Sequence, residues 1–147
     1  MTHKVIRSEC SAPPAKFFGA KIHTDLWGPS PVTILGGRRF YITYTDDFTC
    51  YTWVHTLRSK DETLDSYHAI AKWAHNQHNV KNKILRSDRS GEYCGNDFTK
   101  FLEEQGTKRR LTTHDTLQHN GVAESLNRHL LEHMRAILHH SDLPKSL

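Results

Sequence analysis

Residues 39–57 read RFYITYTDDFTCYTWVHTL, a stretch that decides the expected fold because two strand-like runs enclose one turn. The runs at 39–45 and 51–57 are rich in aromatic and β-branched residues, which favour strands. Asp46 and Asp47 lie between the two runs, and aspartate is common in turns. The stretch therefore predicts an antiparallel hairpin whose two aspartates serve structure rather than chemistry.

On the N-terminal side of the hairpin, residues 20–27 (AKIHTDLW) alternate apolar and polar side chains before Gly28 and Pro29 end the run. This alternation predicts another strand, so that three antiparallel strands come first. The chain before it contains two adjacent prolines and no hydrophobic period. We therefore expect residues 1–16 to form a flexible N-terminal arm and residues 17–147 to form the folded domain.

On the C-terminal side, apolar residues recur three and four apart up to about residue 77, which predicts a helix capped by Ser59 or Asp61. The remaining patterns predict a strand at 83–87, a helix at 96–105, a strand at 108–112 and a long helix from 120 to about 141. This order predicts an α/β fold with a mixed five-stranded sheet flanked by helices.

The length of 147 residues fits one domain, because domains average about 150 residues. Apolar residues at 36% and aromatics at 10% can build a core and argue against a disordered chain. The net charge of 20 − 16 = +4 favours a polyanionic partner without identifying one. No apolar run is long enough to cross a bilayer and no secretory leader is evident, which predicts an intracellular protein without membrane association.

Three carboxylates lie where predicted elements end or begin: Asp25 in the first strand, Asp88 after the fourth, and Glu124 in the first turn of the long helix. Taken singly, each is more often a helix cap, a turn residue or a solvated charge than a functional residue. As a set they are more informative, because 35 residues separate Asp88 from Glu124. The motifs around them and in the hairpin are IHTDLWGP (22–29), YTDDF (44–48), LRSDRSGEY (85–93) and QHNGVAESLNR (118–128).

These motifs and their spacing resemble the catalytic core of copia-like LTR retrotransposon integrases, a retroviral-type integrase family of the RNase H-like superfamily. The resemblance implies an RNase H-like fold, here C-terminally truncated and without the last helix of the family. It also implies DNA integration by metal-dependent phosphodiester cleavage and strand transfer, which would make the chain a polynucleotidyl transferase or endonuclease.

In this family the three acids hold two Mg²⁺ or Mn²⁺ ions, so the resemblance makes Asp25, Asp88 and Glu124 both catalytic residues and metal ligands. Carboxylate oxygens without histidine or cysteine suit such hard cations. The expected partners are the DNA ends of the element and target DNA, with RNA left open, and a second copy of the chain in a homodimer. Activity on genomic DNA would require the nucleus.

The long helix carries a second pattern beside its apolar stripe. At 100° per residue, Asn127, Arg128 and Arg135 follow Glu124 along one face, which we expect to contact nucleic acid. The other basic residues are weaker candidates for such a contact and are interpreted as solvated charge: Lys81, Lys83, Arg86, Arg89 and 108–110.

Two alternatives stay open at this point. One is a truncated or co-opted nucleic-acid-binding module without catalysis, and the other is a separate nuclease of RNase H-like fold. The loop at 113–120 lacks the proline usual in the family, which leaves the activity of the chain open.

Overall fold

A computed structural model of the protein describes residues 15–31, 33, 36–87, 95–111 and 121–141, without the side chains of 121–127 and 138. The predicted order of elements is confirmed over these residues. In chain order they are β1 (Ile22–Trp27), β2 (Phe40–Asp46), β3 (Thr52–Leu57), a 3₁₀ turn (Lys60–Glu62), α1 (Thr63–His78), β4 (Ile84–Ser87), α2 (Asn96–Gln105), β5 (Lys108–Leu111) and α3 (Gly121–Ser141). The division into an arm and a domain stays a prediction, because residues 1–14 lie outside this description.

The five strands form one mixed sheet in the order β3-β2-β1-β4-β5. Strands β1 and β2 are antiparallel, as are β2 and β3, whereas β4 runs parallel to both β1 and β5. This arrangement confirms the predicted sheet and places β1 at its centre. Because β1 and β4 are parallel, the carboxyl ends of both strands lie at the same end of the sheet.

The first face of the sheet packs against α1 and α2 and forms the hydrophobic core. Tyr44 is fully buried there, and its hydroxyl lies 2.7 Å from Ser66 Oγ and 3.2 Å from the Thr63 carbonyl oxygen. A buried hydroxyl with such partners does not incur the cost of an unsatisfied polar group. The core cluster comprises Ile22, Ile42, Tyr44, Leu57, Tyr67, Ile70, Leu85, Phe98 and Leu102.

The opposite side of the sheet is called the second face below. Alternation along the strands and the strand register show which residues lie on it. Asp25 pairs with Thr43 and His23 pairs with Thr45, so these side chains lie on the face away from Ile22. Helix α3 lies alongside β1. Within the described residues, no helix combines the length and apolar character needed to cross a bilayer.

The start of α1 differs from the expected cap. Ser59 precedes the 3₁₀ turn and makes no side-chain capping hydrogen bond. Instead, the Glu62 carboxylate accepts the backbone N–H of Arg58 at 3.0 Å, and Thr63 Oγ1 donates to the Lys60 carbonyl at 2.6 Å. The backbone groups of Arg58 and Lys60 are therefore paired by the side chains of Glu62 and Thr63 and not by a cap at Ser59.

Asp46 anchors the turn between β2 and β3, as the structural interpretation of this pair predicts. Its carboxylate is fully buried and accepts the backbone N–H of Gly19 at 2.9 Å and of Thr49 at 2.8 Å. The Thr49 hydroxyl donates to the same carboxylate at 2.7 Å. One side chain thus connects the turn to the segment that leads into β1.

Replacing this anchor should destabilise the whole domain. Asp46→Ala leaves three donors without their acceptor, so we expect the free energy of unfolding to fall by about 3 kcal/mol. Urea unfolding followed by circular dichroism measures the loss. Glu104→Ala, at an exposed position on α2, is the control and should change stability by less than about 0.5 kcal/mol. Equal losses in the two variants would contradict the assignment.

Candidate active site

Asp25 is the fourth residue of β1 and lies half-buried on the second face. Its antiparallel partner is Thr43 on β2, whose hydroxyl donates a long hydrogen bond of 3.4 Å to the Asp25 backbone carbonyl. Because Asp25 lies within the ladder between β1 and β2, its backbone is held by the sheet rather than by a loop. The carboxylate is therefore positioned on a rigid central strand.

Tyr41 is the aromatic neighbour of this carboxylate. It pairs with Trp27 two residues beyond Asp25, and the two rings stack with centroids 5.2 Å apart. Burial, together with the negative charge of Asp25, raises the pKa of Tyr41 to about 12. Its buried hydroxyl has no hydrogen-bond partner among the described residues. At neutral pH this position therefore presents a protonated phenol that can donate a hydrogen bond.

His23 lies on the same strand and face as Asp25, two residues earlier. Its Nε2 is 3.1 Å from Asp47 Oδ1, and the ring is almost completely buried. Burial lowers the pKa of His23 and outweighs the opposing influence of Asp47, while Lys21 lowers it further. The imidazole is therefore mostly neutral at pH 7.

Asp47 connects the beginning of β1 to the hairpin turn. It accepts the backbone N–H of Ala15 at 2.6 Å and forms an ion pair of 3.0 Å with Lys21. These bonds and the contact to His23 connect β1, the strand that carries Asp25, to the turn that follows β2. Asp47 accordingly has a structural role near the site.

The structure places the other two predicted acids only in part. Asp88 lies outside the described residues and follows Ser87, the buried last residue of β4. Glu124 belongs to α3, which lies alongside β1, but its side chain is outside the description. Among the described residues, no group of three metal-ligating side chains is assembled. The meeting of the three carboxylates stays a prediction.

The predicted nucleic-acid face of α3 is described in part. Arg128 and Arg135 are exposed on the helix, whereas the Asn127 side chain is outside the description. A contact between this face and DNA stays a prediction.

Sequence reasoning missed Tyr41 and His23 as neighbours of Asp25. The signal was present, because period-two alternation places His23 and Asp25 on one face of their strand. For Tyr41, the register of the hairpin was also needed, and strand patterns alone do not set the register.

A mixed sheet with this strand order, flanked by helices, is an RNase H-like fold. A solved chain with the same fold comes from the simian T-cell lymphotropic virus intasome in complex with PP2A regulatory subunit B56 gamma. The TM-score is 0.72 at 14% identity, over 97% of this chain and 49% of that chain. At this identity, the similarity shows the fold alone.

Sequence comparison is more specific. Residues 19–128 match the family model described as integrase core domain, so the chain belongs to that family. The Pol polyprotein of transposon TNT 1-94 from Nicotiana tabacum is 34% identical over 125 residues, 85% of this chain. The Ty1-NL2 Gag-Pol polyprotein from Saccharomyces cerevisiae is 35% identical over 128 residues, 86% of this chain. The matched part spans only 9% and 7% of these two polyproteins. The family model and the two sequence matches together support a retrotransposon integrase core.

The pairing of Asp47 makes stability depend on pH in a defined direction. Burial alone would raise the pKa of Asp47, but the Ala15 N–H, Lys21 and His23 together hold it below its ordinary value near 3.8. The stabilisation is therefore present above pH 3.8 and lost as pH falls through the lowered folded-state pKa.

We accordingly expect Asp47→Asn to lower the free energy of unfolding at pH 7 by more than it does near pH 3. Urea unfolding of both proteins at the two pH values provides the comparison. Glu104→Gln is the control, because it makes the equivalent carboxylate-to-amide change at an exposed position on α2. A stability difference that is constant from pH 7 to pH 3 would rule out the charged pairing.

Proposed function

We propose that this chain is a catalytic core for DNA integration, in which Asp25, Asp88 and Glu124 direct metal-dependent phosphodiester cleavage and strand transfer. The observation that carries the proposal is the position of Asp25, half-buried on the central strand beside α3. Membership of the integrase core domain family supports the same conclusion. On this proposal the chain is a polynucleotidyl transferase or endonuclease.

Strand register supports a meeting of two of the acids. Ile22 of β1 is the parallel partner of Leu85 of β4. Asp25 and Asp88 each follow a member of this pair by three residues. If the register continues to that point, the two carboxylates lie on the same face of neighbouring strands. Glu124, in the first turn of the helix alongside β1, completes the proposed set.

The donor chemistry fits Mg²⁺ or Mn²⁺. Asp25 is a half-buried carboxylate, and its proposed partners are carboxylates as well, which gives the oxygen ligands that hard cations prefer. On this proposal, Asp25, Asp88 and Glu124 would together hold two ions. Two bound ions would supply charge at the attacking and leaving oxygens of a phosphodiester.

On this proposal, the protein residues hold and orient the substrate and form no covalent bond with it. The stacked rings of Trp27 and Tyr41 lie on the same face of the sheet as Asp25 and give that face an apolar surface beside the carboxylate. The attacking oxygen would belong to water when a DNA end is trimmed and to the freed 3′ hydroxyl when that end is joined to target DNA.

The wider setting is also part of the proposal. The substrates would be element ends and target DNA, with RNA left open as a further ligand. A homodimer and a nuclear location for action on genomic DNA, inside the cell and away from membranes, are proposed with them. Exposed Tyr51 and Trp73, whose rings stack 6.1 Å apart beside β3, provide an apolar surface for a second copy.

The test is Mg²⁺- and Mn²⁺-dependent cleavage and joining on a branched DNA oligonucleotide. Asp25→Asn should lower the rate at least about 100-fold, because metal-ion stabilisation contributes several kcal/mol and 1.36 kcal/mol is tenfold in rate. Asp88→Asn and Glu124→Gln should do the same. Asp65→Asn, an exposed acid on α1, is the matched control and should leave the rate unchanged. Circular dichroism verifies folding of each variant.

Undiminished activity in Asp25→Asn would refute the catalytic assignment. A folded wild-type chain that binds DNA without cleaving it would favour a second candidate, a nucleic-acid-binding module without turnover. The exposed Arg128 and Arg135 favour that candidate independently of the carboxylates, because they offer cationic contacts wherever DNA is bound.

The nucleic-acid face of α3 can be tested by itself. Each lost phosphate contact flattens the dependence of log affinity on log salt by about 0.9. Arg128→Ala should therefore bind a DNA duplex more weakly and with a slope reduced by about that amount, measured by fluorescence anisotropy. Lys72→Ala on α1 should retain the wild-type slope. Identical slopes for Arg128→Ala and wild type would count against the contact.

A further inference from the structure

The strand register sorts the basic residues of β4 and β5 into two groups. Arg86 is the parallel partner of His23 on one side and of Arg110 on the other, so the three lie on the second face. Lys108, two residues before Arg110, shares that face. Arg109 pairs with Leu85 of the core and therefore lies on the opposite face. Arg86, Lys108 and Arg110 are called the basic row below.

Within the described part of the chain, the basic row has no counter-ion. None of its three side chains forms an ion pair or a hydrogen bond with a residue that the structure describes. Lys108 and Arg110 are exposed, whereas Arg86 is half-buried and its Nε is buried without an acceptor. A buried guanidinium donor is stabilised by an acceptor, so Arg86 is suited to contact an anionic group.

Protection of a sheet edge explains only part of this arrangement. Strand β5 is an edge strand, and charged side chains on such strands discourage pairing with other chains. That function fits Lys108 and Arg110. It does not fit Arg86, which lies on β4 between two paired strands.

We infer that the basic row binds the phosphodiester backbone of a nucleic acid next to the candidate active site. Arg86 and Arg110 lie on neighbouring strands about 4.8 Å apart, and Lys108 is about 7 Å along the strand from Arg110. Guanidinium and ammonium groups at these spacings can contact more than one phosphate. The inference takes its ligand from the proposed function but assigns residues that the carboxylate set does not include.

Position favours a nucleic acid over an acidic polypeptide as the partner. The row begins beside His23 on β1, two residues before Asp25, and extends about 10 Å across the sheet to β5. A backbone bound at the proposed carboxylates would continue over a neighbouring surface of opposite charge. An acidic peptide would not be bound at the proposed carboxylates, so nothing would direct it to this part of the sheet.

The test compares Lys108→Gln/Arg110→Gln with the matched control Lys72→Gln/Lys100→Gln, which removes two exposed lysines from α1 and α2. Anisotropy of a fluorescent 20-base-pair DNA duplex is measured over a range of salt. Loss of two contacts should flatten the slope of log affinity against log salt by about 1.8, with the control unchanged. Arg86→Gln should flatten it by about 0.9.

A wild-type slope in the Lys108→Gln/Arg110→Gln protein, or an equal change in the control, would overturn the inference. Competition distinguishes the ligands. Displacement by duplex RNA as well as DNA supports recognition of the shared backbone, whereas stronger displacement by polyglutamate of equal charge overturns it. Failure of this inference can be distinguished from failure of the proposed function. Unchanged DNA binding by the row variants, alongside cleavage that requires Asp25, would remove only this inference.

Discussion

The double pairing of β1 is the constraint on which the rest of the structure depends. Ile22 is the partner of Asp46 on the antiparallel side and of Leu85 on the parallel side. These pairings determine which residues face the core and which share a face with Asp25. A shift of one residue would exchange the two faces, removing Ile22 from the core and burying Asp25 in it. The buried Asp46 carboxylate, bound to Gly19 and Thr49, opposes such a shift.

The order and type of the elements were predictable because they depend on local patterns. The hairpin follows from two β-rich runs around an aspartate pair, and α2 occupies the predicted 96–105 because its apolar residues have helical spacing. The cap at Ser59 or Asp61 was predicted wrongly, since a 3₁₀ turn that contains Asp61 displaced the helix start to Thr63. Propensity identifies a capping residue but not which backbone donors remain to be capped.

The site was predictable to a smaller extent. Alternation placed Asp25 on a strand, and the structure places it on the central one. The environment of Asp25 depends on register, which brings Tyr41 from a different strand to its side. Register also divides the residues at 108–110, which looked like one solvated run in the sequence, between two faces. Neighbours that come from different strands are set by tertiary pairing, which a single sequence does not show.

The proposed binding of DNA gives a physical reason for acidic and basic residues to occur close together on the second face. Two unit charges 10 Å apart interact by roughly 1.7 kcal/mol at an effective dielectric constant of 20. A carboxylate site alone would therefore repel a phosphodiester backbone until cations bound. On the proposed function, Arg86 and Arg110, within a few strand spacings of Asp25, would offset that repulsion without competing for the oxygens that are proposed to bind metal. The neutral imidazole of buried His23 lies between the two regions and adds little charge to either. Such separation lets a polyanion approach a site that must itself be anionic to hold divalent ions.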